Sequence, residues 1–290
     1  MISIQPGEIA TSKLHAHLLG AVSPRPICFA STIDADGRHN LSPFSFFNVF
    51  GVNPATLIFS PARRVRDNTI KHTLENCIAT KEVVINIVNY NMVQQMSLAS
   101  CEFPAGVNEF EKSGFTAIAS DLIKPMRVAE SPVQIECIVK SVIETGDQGG
   151  AGNLIICEMV KMHLNENILD ADGVIDPNKI DTVGRMGKDW YVRASGAAIF
   201  EVPKPNAKIG IGVDRLPQSI KESKILTGNN LGMLGNVSSM PTINEEFKNV
   251  ALTSILLFDS NKDDKVHKLA KDLLDKGNVE DAWQILLRAL

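Results

Sequence analysis

Between His39 and Pro61 the chain reads "HNLSPFSFFNVFGVNPATLIFSP". A half-buried core strand alternates apolar and polar residues with a period of two. This stretch instead mixes small hydroxyls with phenylalanines, then passes through a loop at 51–54 into the apolar run 55–60. Read as one strand, Ser42, Phe44 and Phe46 share one face, while Pro43, Ser45 and Phe47 share the other. Such an edge suits a flat heteroaromatic ring, whose rim takes hydrogen bonds from hydroxyl and backbone groups and whose faces pack on apolar surface. The same phenylalanines also suit a core, and at least two of Phe44, Phe46 and Phe47 are expected there.

Outward from this stretch the pattern stays β-rich. "ICFASTI" (27–33) precedes it across the Asp-Gly turn of "DADGRH", and "ATLIFS" (55–60) closes it. Further strands are predicted in "EVVINIVN" (82–89), "VQIECIVKSVIET" (133–145) and "NLIICEMVKMHL" (153–164), the last two flanking the hairpin loop "GDQGGAG". Two segments have helical spacing instead. "DNTIKHTLENCIAT" (67–80) puts Ile70, Leu74 and Cys77 on one face, and "NMVQQMSLAS" (91–100) groups Met92, Met96 and Ala99. Six short strands with inserted helices predict a mainly β chain, a barrel with helical elaborations.

After about residue 195 the composition changes. "EVPKPNAKIGIGVDRLP" (201–217) is rich in Pro and Gly and reads as an extended linking segment. "SNKDDKVHKLAKDLLDKG" (260–277) has a Ser cap, acids in its first turn, an apolar face of Val266, Leu269, Ala270 and Leu273, and a stop at Gly277. "VEDAWQILLRAL" (279–290) starts a final amphipathic helix. The expected division is a barrel domain over 1–200 and an extension over 201–290, helical at its end and packed on the barrel.

The 290 residues carry a formal net charge of −4, which argues against nonspecific nucleic-acid binding but allows a local basic site. Five cysteines form no CxxC pair, and all but Cys101 sit in apolar runs, so reduced buried thiols in a cytoplasmic protein are expected. The N-terminal "MISIQPGEIATSK" lacks the pattern of a signal peptide, and no apolar run is long enough to span a bilayer. The histidines form no HxxxH-type site, and no metal is expected, His15 and His17 included. No GxSxG elbow or Ser/His/Asp arrangement is visible, and "GIG" at 210–212 lacks the strand-to-helix context of a dinucleotide fingerprint.

One charged cluster stands out. In "RRVRDNTIKHTLEN" (63–76), Arg63, Arg64, Arg66 and Lys71 follow a strand end, with Thr73 two residues beyond Lys71. A phosphate monoester needs cationic donors plus a hydroxyl or helix N-terminal N–H groups, and all are available here. A solvated basic loop is the alternative reading.

Three segments in order, "SPRPICFASTIDADGRHNLSPFSFFNVFGVNPATLIFS", "KHTLENCIATKEVVINIV" and "EFPAGVNEFEKSGFT", resemble the flavin reductase-like family of FMN-binding split barrels, the group that includes flavoredoxin-type proteins. "VAESPVQIEC" and "VGRMGKDWYVRAS" also resemble family segments. The resemblance implies a six-stranded antiparallel Greek-key barrel that forms a homodimer, with FMN at or near the subunit interface. It implies Lys71 and Thr73 at the FMN phosphate with Arg63 or Arg64 as helpers. Ser42, Pro43, Phe44, Ser45 and Phe46 match the strand along the ring, with Asn48 just beyond. Ser31 and Thr32 come from the neighbouring strand, Arg25 from the loop before it, and Asn86 matches a position on the ribityl side. His72 stands where the family pattern has an acid.

The activity this implies is an NAD(P)H-dependent flavin reductase that passes hydride to FMN and electrons on to a second acceptor. Arg185 and Tyr191 are candidates for the nicotinamide side, with an ion pair and plain packing as their alternatives. A different class is also open: an FMN-binding electron carrier or binding module without its own NAD(P)H site. A split-barrel relative that binds another phosphorylated cofactor is the third.

Overall fold

The computed structural model describes residues 1–104, 106–204 and 208–290. Ala105, in the family-like segment 102–116, and residues 205–207 of the expected linking segment lie outside the described residues. The chain divides into two compact units, Met1–Phe200 and Glu201–Leu290.

The first unit is built on strands β1 (Cys28–Ile33), β2 (His39–Phe44), β3 (Phe47–Val52), β4 (Ala55–Phe59), β5 (Glu82–Ile87), β8 (Val133–Glu144) and β9 (Asn153–Leu164). They form one seven-stranded sheet in the order β2-β1-β5-β8-β9-β4-β3, every pair antiparallel. Two small hairpins accompany it: β6 (Ala117–Ile118) with β7 (Arg127–Val128), and β10 (Val183–Arg185) with β11 (Tyr191–Arg193). Helix α1 (Thr11–Ala21) precedes the strands, and α2 (His72–Thr80), α3 (Val93–Leu98), α4 (Glu109–Ser113) and α5 (Pro177–Ile180) lie between them in the chain.

The opening stretch closes this sheet. It is two strands rather than one, which raises the count from the expected six to seven. β2 ends at Phe44 and β3 begins at Phe47, yet they are the two outer edges of the sheet. Three Cα steps span at most roughly 11 Å. Seven flat strands would separate the edges by roughly 29 Å at normal strand spacing. The sheet must therefore be rolled into a barrel, with Ser45 and Phe46 crossing the seam. The Ser60 N–H donates to Phe46 O (2.9 Å), carrying the β3–β4 ladder one step past Phe47 and Phe59 onto the crossing residue.

Alternate residues of β1 enter different cores, which is why "CFASTI" lacks a polar face. Cys28 and Ala30 join Phe44, Phe59, Ile85, Cys137 and Ile155 in one cluster. Phe29 joins Leu41, Met92, Met96, Phe110 and Phe115 in another, the expected Met92–Met96–Ala99 face included. Helix α2 buries Leu74 and Cys77 in the first cluster, with Ile70 packed against it. Its helical residues begin only at His72, because Lys71 is in extended backbone at the N-cap position. All five cysteines are free, and Cys101 is exposed. Burial raises the thiol pKa of Cys28, Cys77 and Cys137, and pushes Cys157 up to about 12.

The second unit contains α6 (Gln218–Lys221), α7 (Gly228–Gly235), α8 (Val250–Phe258), α9 (Lys262–Leu274) and α10 (Val279–Leu287). Its own core holds Leu234, Val266, Ala270, Leu274, Trp283 and Ile285. The cap expected from Ser260 is corrected: Asn261 precedes α9, without a side-chain capping bond. Gly277 takes a left-handed conformation (φ 79°) just past α9, as a helix stop requires.

Candidate functional site

A cavity of about 330 Å³ opens on the barrel seam. The crossing residues Ser45 and Phe46 line it, beside Pro43 and Phe44 from the end of β2. Ser60 and Ala62 enter from the strand end across the seam, and Lys71 from the N-cap of α2. Helix α3 buries Met96 in the core and brings Ser97 to the cavity, and Ser100 follows just past its end. From α1 come Leu19 and His15, whose ring meets Phe46 edge-on at 6.3 Å.

Arg25 and Arg185 complete the lining. The chain topology makes them neighbours, since their backbones exchange hydrogen bonds of 2.9 and 2.8 Å in an isolated antiparallel bridge. The Arg25 guanidinium is buried and donates to the carbonyls of Val22 (2.7 Å), Met186 (2.9 Å) and Leu19. Burial and the nearby Arg185 charge lower its pKa. Arg185 donates to the Tyr191 hydroxyl (2.5 Å) and to Lys188 O (3.0 Å), with its guanidinium 4.9 Å from the Tyr191 ring centre. Among the described residues neither arginine has a carboxylate within 4.0 Å, nor has Lys71, whose pKa is lowered chiefly by burial. Cations kept out of water without a carboxylate are ready to receive an anion.

Other expected contacts are not brought to this cavity, and the reason is hydrogen-bond commitment. Thr73 is buried and donates to Asn40 Oδ1 (2.7 Å). Thr32 lies in the same network, donating to Asn40 Oδ1 (3.4 Å) and accepting from Asn76 (3.0 Å). Glu109 closes it, accepting from the Asn40 amide (3.0 Å) and the Leu41 N–H (3.1 Å). Asn86 is buried between Phe29 O, to which it donates (3.0 Å), and the Val128 N–H, from which it accepts (3.0 Å). Ser31 is wholly buried in β1, its hydroxyl without a partner among the described residues. Thr73, Thr32, Asn86 and Ser31, expected at the cofactor, thus occupy internal positions and do not line this cavity.

The cations of the basic loop are divided between loop and cavity. Arg64 pairs with Glu102 (2.9 Å) and also donates to Thr69 Oγ1 (2.7 Å) and Ile70 O (2.8 Å). Arg63 donates to Asn68 O (3.3 Å) and lies 3.8 Å from Glu144. These guanidiniums brace the loop, and neither lines the cavity; of the four cations, Lys71 alone does. Ser42 and Asn48 do not line it either, Asn48 being exposed and accepting from the Val49 N–H (2.8 Å). His72 lines a separate depression with His39 and Glu109. The lining serines Ser60, Ser97 and Ser100 were not singled out in the sequence; the available signal was their place at a strand end and on the polar side of the Met92–Met96 helix.

Acidic and histidine side chains come together elsewhere in Asp121, Glu136 and His163. Glu136 there accepts from the Asp121 and Leu122 N–H groups (2.8 and 2.7 Å) and contacts His163 (2.7 Å), so its oxygens are already engaged.

The flavin reductase like domain matches residues 20–182, more than half of the chain. The chain belongs to this family. Its seven-stranded rolled sheet is the family's split barrel, and both walls of the cavity come from the matched region apart from α1 and the segment after 182. A protein of Aquifex aeolicus is 38% identical over 189 residues, covering 65% of this chain and 94% of the relative. Nitrilotriacetate monooxygenase component B from Bacillus cereus has a similar structure, with a TM-score of 0.64, 26% identity, and coverage of 70% of this chain and 98% of that one. A Shewanella frigidimarina structure described as having a split barrel domain gives a TM-score of 0.59 at 24% identity, covering 70% of this chain and all of the other (100%).

Proposed function

We propose that this flavin reductase-like protein binds FMN in the seam cavity and uses NAD(P)H as electron donor. The observation that carries the reading is Lys71: a half-buried cation with no carboxylate within 4.0 Å among the described residues, in one cavity with four serines and the phenylalanines of the seam. That donor set fits the cofactor. Lys71 supplies a charge for the phosphate, Ser45, Ser60, Ser97 and Ser100 supply hydroxyls, and Phe44, Phe46, Ile27 and Leu19 supply apolar surface. Bound FMN supplies the redox chemistry, exchanging two electrons with a nicotinamide donor and passing them to an acceptor. The protein's part is to hold both molecules, keep water from the apolar wall, and set the local charge through Arg25 and Arg185.

The experiment is anaerobic mixing of the FMN-loaded protein with NADH or NADPH while the flavin absorbance is followed. Bleaching within seconds to minutes is expected. An oxidised spectrum that persists with both donors overturns the donor reading and leaves an electron carrier. A colourless protein that does not quench added FMN overturns the cofactor reading itself.

A homodimer belongs to the same proposal. It is supported by the edge strand β3, which exposes Val49, Phe50 and Val52 on an unpaired sheet edge. A light-scattering mass of one chain overturns it.

A further inference from the structure

A second cavity, of about 430 Å³, shares Ser97, Arg185 and Tyr191 with the first. Beyond those shared residues its walls are Tyr90, Val93 and Gln94 from one part of the sequence, and Val183, Asp189, Val192 and Arg193 from another. The two cavities are adjoining chambers, with residues Arg185 and Tyr191 in the lining of both.

The chemistry of the second chamber differs from that of the first. Tyr90 and Arg193 form a stacked pair, with the guanidinium carbon 3.9 Å from the ring centre. Arg193 is fixed there by a two-pronged pair with Asp181 (2.7 and 2.7 Å), so it is a flat, neutralised surface rather than a free charge. Arg185 is the reverse: its donors go to a tyrosine hydroxyl and a carbonyl, and no carboxylate pairs with it among the described residues. Asp189 makes no ion pair among the described residues. The chamber therefore offers aromatic and flat cationic surface, one unneutralised arginine at the shared wall, and one free carboxylate.

We infer that this second chamber seats the adenosine half of NADH, with Arg185 at the shared wall taking the pyrophosphate as the donor runs between the two chambers. The inference rests on the donor reading above and adds to it where the far half of the donor lies. An adenine ring suits the Tyr90–Arg193 platform, because heteroaromatic rings stack on tyrosine and guanidinium planes. A pyrophosphate needs a planar cation with free donor capacity, which Arg185 supplies. An unpaired carboxylate accepts from a ribose 2′-hydroxyl and repels a 2′-phosphate, so Asp189 selects NADH over NADPH.

The test compares donors with and without the adenosine half, using the FMN-loaded full chain under anaerobic conditions. The KM for NADH is expected to be at least about tenfold below that for reduced nicotinamide mononucleotide, a difference that corresponds to one modest extra binding contact. Gln94→Trp, an exposed position that fills the chamber, should bring the ratio of the two KM values close to one. Tyr90→Ala should do the same by removing the platform, and ADP-ribose should compete with NADH in the unmodified protein but not in either variant. Asp189→Asn should narrow the preference for NADH over NADPH. Equal KM values for both donors in the unmodified protein, or a ratio that neither variant changes, overturn the chamber's assignment while the donor reading stands. No flavin reduction by any nicotinamide donor overturns the donor reading, and this assignment with it.

Discussion

Around Asn40, the side chains of Thr32, Thr73, Asn76 and Glu109 are joined by hydrogen bonds of 2.7 to 3.4 Å, and each of these residues is buried. A few residues away along the chain, Lys71 and Arg25 are also withdrawn from water, but no carboxylate pairs with either among the described residues. Both regions bury polar groups, which folding tolerates only when the groups are satisfied. In the Asn40 network the protein satisfies them internally, joining α2 and α4 to β1 and β2. In the seam cavity it holds the cations on carbonyls or by partial burial and leaves their charge to a ligand. The first region serves the fold. The second serves binding.

The strongest way to break this contrast is Asn40→Ala. It strips partners from buried Glu109 and Thr73, and should lower unfolding free energy by about 2–4 kcal/mol in urea titration. Intact stability with loss of FMN binding would place the network in the site instead. Lys71→Ala tests the other region. It should raise the FMN dissociation constant roughly ten- to a hundredfold, equivalent to about 1.5–3 kcal/mol, with little loss of stability. An unchanged constant would move the phosphate elsewhere.

The third test uses pH. Burial raises the Glu109 pKa above its ordinary value, against the opposing hydrogen bonds of Leu41 and Asn40. A carboxyl that binds its proton more tightly when folded contributes stability that is present below the unfolded pKa and is lost as pH rises through the folded one. Stability should therefore carry a component that falls as pH rises above the ordinary carboxylate range, by no more than about 1.4 kcal/mol per pH unit. Urea titrations across that range should show this component in the natural protein and not in Glu109→Gln. The smallest effect is expected from Arg64→Ala: less than about 1 kcal/mol of stability, since its partner Glu102 is exposed, and less than about threefold in FMN affinity. A tenfold loss of affinity would mean that the brace and the site are one unit.

Parts of this arrangement were legible without coordinates. β-rich runs between turn signals located β1, β4, β5, β8 and β9, helical spacing grouped Met92 with Met96, and the order of motifs pointed to the family. The reading of 42–47 as one strand failed at Ser45, because alternation carries no mark of a sheet edge, and the chain changes edges within two residues. The basic cluster was visible as a count of charges, but Arg64 and Lys71 look alike on paper; Glu102, almost forty positions on, forms a close ion pair with Arg64 and lies beyond 4.0 Å of Lys71. Helices α6 to α8 escaped notice because they are short or rich in glycine and weakly patterned.

The amino-acid order by itself determined where strands β1, β4, β5, β8 and β9 run, which thiols are buried, and that hydroxyls and phenylalanines meet near residue 45, because these follow from local composition and the burial of apolar surface. Only the tertiary structure decided which polar groups have partners. Hydrogen bonding and charge neutralisation act over a few ångströms in space, between groups the chain keeps far apart, and so it took the rolled sheet to separate the satisfied network at Asn40 from the open cations at Lys71 and Arg25.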